Sequence, residues 1–235
     1  MCRLTQLAAP PREPPPSIWE LPDPAGPDDL IAVGGDLEPG TILEGYRKGL
    51  FPMHLEDGRL GWWSPVRRGV IPVAEFRPSR SLRKSARRYR TTVDRALDEV
   101  IAGCADPSRP HGWITPEIRH AYVELGRLGW VHSVETWSED GELVGGLYGV
   151  SIGRMFCGES MFHRSRDASK VALWALVRLL HRAGVPYIDV QWVTPHLRSL
   201  GAVEIGRERY LDLLAKALRG EPAIWWDDTG TDAAT

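Results

Sequence analysis

Three stretches that follow one another closely decide the fold: VHSVETW at 131–137, LVGGLYGVSI at 143–152 and RMFCGESM at 154–161. Each is short and rich in β-branched, aromatic or other apolar residues, which is typical of strands. Asp140-Gly141, between the first two stretches, is a tight-hairpin signal, so we expect these two strands to pair antiparallel. Gly145-Gly146 inside the second stretch indicates a bulge or a close approach of another backbone.

The chain after these strands adds helices and one more strand. A long helix that starts at Asp167 or Ser169 and runs to Ala183 is predicted, then a strand over Tyr187–Trp192 and an amphipathic helix over Arg207–Leu218. Antiparallel strands followed by helix, strand and helix predict an α/β (α+β) fold with a mixed sheet and flanking helices. No GxGxxG follows a strand, so the parallel sheet of dinucleotide-binding proteins is not expected.

Composition divides the chain into four parts. Residues 1–27 hold eight of the 19 prolines and are predicted to form a disordered or extended arm. Residues 28–65 are predicted to form a small N-terminal domain with one short helix, from about Thr41 as its N-cap to Lys48. Residues 66–220 are predicted to form the main domain, and residues 221–235 a loose acidic tail.

The formal net charge of −2 hides one strongly basic segment. Residues 66–90 carry nine basic side chains and one acidic side chain, net +8, whereas the segments on either side each carry net −5. A helix capped by Ser79 or Ser81 is predicted here, and it would place four cations on one face: Arg80, Arg83, Lys84 and Arg87. Like charges at this spacing repel, so a polyanion such as RNA is a natural partner. The alternative is a solvated face with counter-ions.

Several protein classes are disfavoured by the sequence. The longest strictly apolar run has seven residues (171–177), whereas a membrane-spanning helix needs about 20. The N-terminus lacks a basic-plus-apolar signal pattern, and Cys2, Cys104 and Cys157 have no CxxC spacing. We therefore expect a cytoplasmic protein without disulfides and without a metal site.

Polar side chains inside the predicted strands are the candidate functional residues. Glu159 stands among apolar neighbours, and strand alternation predicts that Asp189 and Gln191 share a face while Ile188 and Val190 share the other. Buried carboxylates are costly unless they are paired or functional. The alternatives are a strand-end glutamate bonded to backbone and a polar network that only specifies packing. Ser160 lacks the second glycine of a GxSxG elbow, so a serine hydrolase is not expected.

A series of short motifs then recurs in an order that resembles the bacterial leucyl/phenylalanyl-tRNA–protein transferase family, over roughly residues 28–215. The motifs are FP at 51–52, WWSP at 62–65, Arg68, SLRK at 81–84, WI at 113–114, AY at 121–122, HSVE at 132–135, LVGGLYG at 143–149, GESMF at 158–162, ASK at 168–170, DVQ at 189–191 and HL at 196–197 with SLGA at 199–202. Five residues depart from the usual pattern of the family: Met53, Gly112, His163, Asp167 and Val190.

The resemblance implies a fold and an activity. The fold would be a small N-terminal domain followed by a domain like the GNAT acetyltransferases. The enzyme would transfer leucine or phenylalanine, with methionine as a further candidate, from aminoacyl-tRNA to proteins whose N-terminal residue is arginine or lysine. This addition would mark them for degradation by the N-degron route. The resemblance implies no cofactor, and we expect a monomer that binds neither membranes nor DNA.

The resemblance also implies roles for individual residues. Asp189 and Gln191 would be the catalytic pair, and Glu159 and Ser160 would bind the acceptor. The donor side-chain pocket would draw on Leu147, Phe156 and Ile188. The tRNA would be bound by Trp62, Trp63, Arg68, Arg80, Arg83, Lys84, Arg87 and Trp113.

The chemistry of the reaction agrees with these residue types. The donor is an activated ester and the α-amine of the acceptor has a pKa of about 8, so positioning can supply most of the rate. Asp189 could polarise the amine and accept its proton, directly or through Gln191, and Gln191 could donate to the developing oxyanion. The alternatives are a non-catalytic RNA-binding module and a coenzyme-A-dependent acetyltransferase. Residues 164–170 lack the glycines of a pyrophosphate loop, which disfavours the acetyltransferase.

Overall fold

A computed structural model describes residues 10–108 and 112–223, and these form two sheets with helices packed around them. The strands are β1 Leu30–Val33, β2 Phe51–His54, β3 Leu60–Trp63, β4 Arg67–Pro72, β5 Arg90–Val93, β6 Val131–Trp137, β7 Leu143–Ile152, β8 Met155–His163, β9 Tyr187–Gln191 and β10 Val203–Gly206. The α-helices are α1 Pro39–Arg47, α2 Arg80–Ala86, α3 Leu97–Cys104, α4 Pro116–Arg127, α5 Ala168–Arg182, α6 Pro195–Ser199 and α7 Arg207–Arg219. A 3₁₀ turn spans Val73–Glu75.

The larger sheet is mixed, as predicted. Its strand order is β10-β4-β9-β8-β7-β6-β5, and β8 and β9 pair in parallel while its other neighbours pair antiparallel. The smaller sheet, β1-β3-β2, is antiparallel and comes from the N-terminal part of the chain. The expectation of an α/β (α+β) fold with a mixed sheet and flanking helices is therefore confirmed.

Helices cover both faces of the larger sheet. On one face, α2 and α5 pack with apolar side chains such as Leu147, Phe156 and Ile188. On the other, residues of α1, α3, α4 and α7 pack around side chains such as Tyr148 and Cys157. The sheet therefore separates two cores.

Local signals located several elements correctly. Ser79 caps α2 by accepting a hydrogen bond from the amide of Leu82 (3.1 Å), as one of the two predicted caps. The approach of another backbone at Gly145 is also confirmed, since a Cβ there would lie 2.6 Å from the Cβ of Ala168 at the start of α5. Thr41 as an N-cap is wrong: the N-cap is Glu38, three residues earlier, and α1 begins at Pro39, because proline suits the first helical position.

Four short strands were missed. These are β1, β2 and β3 of the small sheet and β10 at the edge of the large one, each four residues long. Such segments carry too little periodicity to be recognised alone, because their pairing partners lie elsewhere in the chain.

Residues 10–27 of the proline-rich arm are extended and lie along the body of the protein. The amide of Arg12 donates to the carbonyl of Leu128 (2.8 Å), and the indole of Trp130 donates to the carbonyl of Arg12 (2.9 Å). Glu13 pairs with Arg47 of α1 at 2.7 Å. The arm therefore joins α1 to the end of α4. The expectation for residues 1–9 lies outside the described residues, as do those for Cys2 and for the tail from residue 224.

Among the described residues, no helix is long and apolar enough to cross a membrane. The thiols of Cys104 and Cys157 are both buried.

Candidate active site

An apolar cavity of about 280 Å³ opens between β8 and β9, next to α5. All three residues expected to bind the donor side chain, Leu147, Phe156 and Ile188, line it. Its other apolar lining comes from Ile71, Met161, Leu173, Leu176, Val190 and Leu197. A cavity of about 150 Å³ already accommodates benzene, so this one has room for a leucine or phenylalanine side chain.

The polar lining of the same cavity includes three of the predicted site residues, Glu159, Ser160 and Gln191. The Nε2 of Gln191 lies 3.3 Å from Oε1 of Glu159, to which it donates. The structure therefore brings the apolar pocket, a carboxyl group and an amide together.

Two register shifts place these side chains. Tyr148 pairs with Ser160 and Gly149 with Gly158, which leaves Glu159 as the extra residue of β8. On β9, Val70 pairs with Asp189 and Gly69 with Gln191, which leaves Val190 as the extra residue. Bulges re-aim side chains and are common beside active sites.

Because of the second shift, simple alternation fails at the end of β9. Gln191 has a positive φ of 54° and lines the cavity together with Ile188 and Val190. Alternation predicts that Val190 faces away from both Asp189 and Gln191. For Gln191 this is wrong, because Val190 and Gln191 line the same cavity. A left-handed backbone at a residue other than glycine is strained by roughly 1–2 kcal/mol. A hydrogen bond from the backbone amide of Gln191 to Oδ1 of Asp189 (3.0 Å) helps to hold this backbone conformation.

Asp189 lies behind the cavity in a fully buried ion pair. Arg68 donates from Nε to Oδ1 at 2.8 Å and from Nη2 to Oδ2 at 2.6 Å, and neither side chain is exposed. The Tyr210 hydroxyl also donates to Oδ2 at 2.9 Å. Burial is the largest single effect and would lower the pKa of Arg68, but the charge and hydrogen bond of Asp189 together with Tyr210 raise it above its ordinary value, so Arg68 stays charged.

The same ion pair is enclosed by further contacts of Arg68. Its Nη1 donates to the carbonyl of Gly49 (3.1 Å), and its guanidinium lies 4.2 Å from the ring centroid of Tyr210 and 5.1 Å from that of Phe51. Asp189 thus has no solvent-accessible oxygen to offer a substrate amine. Its direct contact with the amine, one of the two predicted routes, is contradicted by burial, while the route through Gln191 is compatible with the geometry.

Glu159, unlike Asp189, is a carboxyl group that lines the cavity. Burial raises its pKa to about 8, although hydrogen bonds from Tyr46 and Tyr122 act in the opposite direction. The hydroxyl of Tyr122 lies 3.3 Å from Oε2 of Glu159 and 2.6 Å from the hydroxyl of Tyr46. The two tyrosines belong to α4 and α1, so the N-terminal part of the chain contributes to the site.

The predicted tRNA-binding residues separate into three groups by exposure. Trp62 and Arg68 are fully buried, and the Trp62 indole donates to the carbonyl of Gly34 (2.9 Å). Their expected contact with tRNA is contradicted, because a fully buried side chain does not reach an external polyanion. Trp63 and Trp113 are half-buried. The remaining four are exposed on or beside α2: Arg80, Arg83, Lys84 and Arg87.

Three tyrosines of the site were missed by sequence reasoning. Tyr46 and Tyr122 touch each other and Glu159, and Tyr210 touches the Arg68–Asp189 pair. The AY motif that contains Tyr122 was noticed, but no local signal links it to Tyr46, which lies 76 residues away. All three lie on amphipathic helices, so the sequence pattern indicates only that they are core residues.

Comparison with known proteins gives a consistent result. The profile of the family described as leucyl/phenylalanyl-tRNA protein transferase matches residues 70–215, and the profile of its N-terminal domain matches residues 35–66. A leucyl/phenylalanyl-tRNA–protein transferase of Aromatoleum aromaticum is 53% identical over 193 residues, which cover 80% of this chain and 81% of the relative. One of Maridesulfovibrio salexigens is 46% identical over 212 residues, 88% of each chain.

Solved structures are more distant. A GCN5-related glucosamine N-acetyltransferase region of a fungal multi-domain β-N-acetylglucosaminidase is 13% identical, with a TM-score of 0.44. That alignment covers 78% of this chain and 24% of the other. The structure of L-PGS from Bacillus licheniformis has a TM-score of 0.36 and 13% identity, over 64% of this chain and 51% of that one.

Proposed function

Since this chain belongs to the leucyl/phenylalanyl-tRNA–protein transferase family and is an aminoacyltransferase, we propose the following reaction for it. It transfers leucine or phenylalanine, with methionine as a further donor to be tested, from aminoacyl-tRNA to the N-terminal α-amine of proteins that begin with arginine or lysine. Neither a non-catalytic RNA-binding module nor a coenzyme-A acetyltransferase is retained as an alternative, because family membership places the chain among the aminoacyltransferases.

One observation carries the proposal: the cavity of about 280 Å³ joins an apolar interior to the Glu159–Gln191 pair. The donor side chain would occupy the part lined by Leu147, Phe156 and Ile188. Its ester carbonyl would then lie beside Glu159 and Gln191, where an acceptor amine can approach. Holding both reactants in this arrangement would supply most of the rate, because the ester is already activated.

The bond changes follow from the chemistry of ester aminolysis. The α-amine nitrogen attacks the ester carbonyl carbon, and a tetrahedral intermediate forms. The C–O bond to the terminal ribose then breaks, and the amide is completed. Glu159 takes the proton that the amine loses, and this proton ends on the ribose oxygen that leaves. The pKa of about 8 for Glu159 suits this exchange, because it matches that of an α-amine, about 8.

Gln191 acts at the other side of the reacting carbonyl. Its side-chain amide donates to the oxygen that becomes negative in the intermediate, which is the transition-state contact that an oxyanion donor makes. Asp189 and Arg68 do not touch substrate in this scheme. They are positioning residues, because the Asp189 carboxylate holds the backbone amide of Gln191 and Arg68 holds Asp189.

Acceptor selection is proposed to depend on charge. Glu159 and Ser160 border the cavity, and an arginine or lysine side chain beside Glu159 would lower the pKa of that carboxyl and favour the carboxylate that pairs with the cation. The basic face of α2, formed by Arg80, Arg83, Lys84 and Arg87, repels such a chain and suits the phosphates of tRNA instead.

The biological setting follows from the proposed substrates. The added leucine or phenylalanine marks the acceptor protein for degradation by the N-degron route. The reaction takes place in the cytoplasm, where aminoacyl-tRNA is produced, and the enzyme works as a monomer.

The decisive test is a transfer assay read by mass spectrometry. The enzyme is mixed with leucyl-tRNA and a peptide that begins with arginine, and we expect the peptide to gain the mass of one leucine residue. The matched controls are the same peptide with an acetylated N-terminus and one that begins with alanine. Product on the acetylated peptide would contradict attack by the α-amine, and equal product on the alanine peptide would contradict the proposed acceptor choice.

Two variants test the assigned roles. Asp189→Ala is expected to lose transfer but keep tRNA binding, because Asp189 acts only through Gln191. Asp189→Ala also leaves the buried Arg68 unpaired and should lower stability. Gln191→Ala should lose transfer without that loss of stability, because Arg68 and Asp189 remain paired. Full transfer by either variant would remove that residue from the mechanism.

A further inference from the structure

The proline-rich arm, here residues 10–23, crosses the outside of the protein in an extended form with one side against the body. Between residues 10 and 20 its half-buried positions fall at every third residue: Pro11, Pro14 and Ser17. Three residues per turn is the period of a polyproline II helix, which prolines favour because they fix φ. Because the prolines also restrict the unfolded chain, the arm loses little conformational entropy when it docks.

The first part of the arm is fixed at the C-terminal end of α4. The amide of Arg12 donates to the carbonyl of Leu128 (2.8 Å), and its guanidinium donates to the carbonyl of Arg127 (3.0 Å). The indole of Trp130, just before β6, donates to the carbonyl of Arg12 (2.9 Å). Both backbone groups of Arg12 are therefore bonded to the segment that ends α4.

The middle of the arm is fixed at the start of α1. A Cβ at Gly40, in the first turn of the helix, would lie only 2.0 Å from the carbonyl oxygen of Pro15. The hydroxyls of Ser17 and Thr41 are hydrogen-bonded at 2.9 Å. The arm therefore packs directly on the backbone of α1, and the close approach requires glycine at position 40.

At the other end of α1, two consecutive cations bind the arm. Nη2 of Arg47 donates to both carboxylate oxygens of Glu13, at 2.7 and 2.8 Å. The guanidinium of Arg47 also lies 5.4 Å from the ring centroid of Trp130. Lys48, just after the helix, donates to the carbonyl of Leu21 at 2.6 Å. Arg47 thus joins α1 to the arm and to the segment after α4 at one point.

The two helices that the arm joins are the two that supply tyrosines beside Glu159. Tyr46 is in the last turn of α1, next to Arg47, and its hydroxyl lies 2.6 Å from that of Tyr122 in α4. The hydroxyl of Tyr122 lies 3.3 Å from Oε2 of Glu159. A helix of nine residues has little stability of its own, so the position of α1 depends on what packs around it.

A purely stabilising role explains only part of these contacts. Leu21 is buried in the apolar core, which accounts for the end of the arm. Glu13 and Arg47 are partly exposed, and an exposed ion pair adds little to stability. What the pair does is fix the end of α1 at the residue that follows Tyr46, in contact with Trp130 of the other anchor.

Resting on the role proposed above for Glu159, we propose that the arm is a strap that holds α1 against α4 and thereby positions Tyr46 and Tyr122 on Glu159. Arg12 and Glu13 are positioning residues, because they act on the reaction only through the two helices. The strap stays docked while the reaction proceeds, so it is not a lid that must open for substrate.

The first test lifts the arm by a change on α1. Gly40→Ala places a methyl group against the carbonyl of Pro15, although alanine otherwise suits a helix better than glycine. We expect faster hydrogen exchange at the amide of Arg12, which is bonded to Leu128 only while the arm is docked. We also expect a kcat at least about tenfold lower, because a misplacement of about 1 Å can cost about 100-fold in rate. The KM for leucyl-tRNA should stay within about twofold of wild type, because the basic face of α2 is unchanged.

The second test changes the arm and can be reversed. Glu13→Arg replaces the pair with Arg47 by repulsion and should lower kcat by up to about fivefold, as expected for an exposed pair. Adding Ser17→Cys/Thr41→Cys allows a disulfide where the two hydroxyls touch, and this bond locks the arm on α1. Oxidation should restore kcat to that of the oxidised Ser17→Cys/Thr41→Cys chain that keeps Glu13, and reduction should abolish the recovery.

A measurement without substrate separates this inference from the proposed reaction. The titratable or charged groups that face Glu159 are Tyr46, Tyr122, Cys157, Asp189 and Arg68, of which α1 supplies Tyr46 alone. Hydrogen bonds from the two tyrosines lower the pKa of Glu159, so a misplaced Tyr46 should raise it. The infrared band of the protonated carboxyl, identified by its loss in Glu159→Gln, gives this pKa in wild type and in Gly40→Ala.

The matched control is a glycine in similarly close contact with a different segment. A Cβ at Gly153, between β7 and β8, would lie 2.4 Å from the carbonyl oxygen of Ala217, and φ at Gly153 is 55°. Gly153→Ala should therefore lower the melting temperature, but it should leave kcat and the pKa of Glu159 as in wild type.

Three results would overturn the inference. Fast exchange at Arg12 in Gly40→Ala, with kcat and the pKa of Glu159 unchanged, would show that the arm only covers α1. Loss of activity in the oxidised Ser17→Cys/Thr41→Cys chain would show a lid that must open. Slow exchange at Arg12 in both Gly40→Ala and Glu13→Arg would show that these contacts do not hold the arm. If wild type transfers nothing, the exchange rate and the pKa of Glu159 still test the strap, so failure of the proposed reaction is distinguishable.

Discussion

Replacing Arg68 by methionine removes the charge that neutralises buried Asp189 while keeping an unbranched side chain of similar length. Both partners are fully buried, and the change deletes two hydrogen bonds to Asp189, one to the Gly49 carbonyl and one to the Tyr210 hydroxyl. Removing one partner of such a pair costs about 3–5 kcal/mol. For a chain of this size we therefore expect the melting temperature to fall by roughly 6–20 °C.

The same change should impair catalysis at temperatures where the variant is still folded. Without Arg68, Asp189 no longer holds the strained backbone of Gln191, which has a φ of 54°. A misplacement of about 1 Å in an active site can cost about 100-fold in rate, so we expect a fall in kcat of that order. The KM for leucyl-tRNA and its salt dependence should stay as in wild type, because Arg68 does not reach the RNA.

Two further variants make this prediction specific. Arg67→Met removes the adjacent arginine, which is exposed and paired with Glu204, and should change the melting temperature by only a few degrees. Arg68→Met/Asp189→Asn should regain part of the lost stability, because no charge is then left unpaired. If Arg68→Met instead keeps its melting temperature and flattens the salt dependence of tRNA binding, the buried-pair reasoning is refuted.

Three other changes test separate parts of the site. Arg83→Ala/Lys84→Ala should raise the KM for tRNA and reduce the salt slope by about 1.4–1.8, and an unchanged slope in a binding titration would contradict the α2 interface. Leu147→Phe should shrink the cavity and lower kcat/KM for phenylalanyl-tRNA more than for leucyl-tRNA, which competition between the two donors measures. In wild type, kcat/KM should rise with pH through about 8, as Glu159 and the amine lose protons, whereas Glu159→Gln should keep only the ionisation of the amine. The raised pKa means that Glu159 holds its proton more tightly in the folded protein than in the unfolded chain. The stability of wild type should therefore fall relative to that of Glu159→Gln as pH rises toward 8. Melting temperatures of the two proteins that stay equally far apart at every pH would contradict this.

Much of the fold was predictable because its signals are local. The cap of α2 depends on Ser79 and the amide three residues later, and β6, β7 and β8 follow from apolar composition with a hairpin turn between the first two. The strands of the small sheet were missed for the opposite reason. Segments such as FPMH at 51–54 become strands only because Leu60–Trp63 pairs with them.

The candidate site was predictable in its members but not in its geometry. Glu159, Gln191 and the three apolar pocket residues do meet at one cavity. The prediction failed where a register shift was needed: regular alternation places Asp189 and Gln191 alike, but the extra residue at Val190 separates a buried carboxylate from a pocket-lining amide. A register shift of that kind depends on how β9 pairs with the neighbouring strand β4, and the sequence of β9 alone contains no signal for it.

The sequence by itself determined the strands β6 to β9 and the basic helix, because each depends on residues within a few positions of one another, and its ordered series of short motifs indicated the family. Only the tertiary structure decided that Arg68 is an internal counter-ion and not an RNA contact. Burial and charge pairing are set by which distant segments pack together, and Arg68 and Asp189 lie 121 residues apart in the chain.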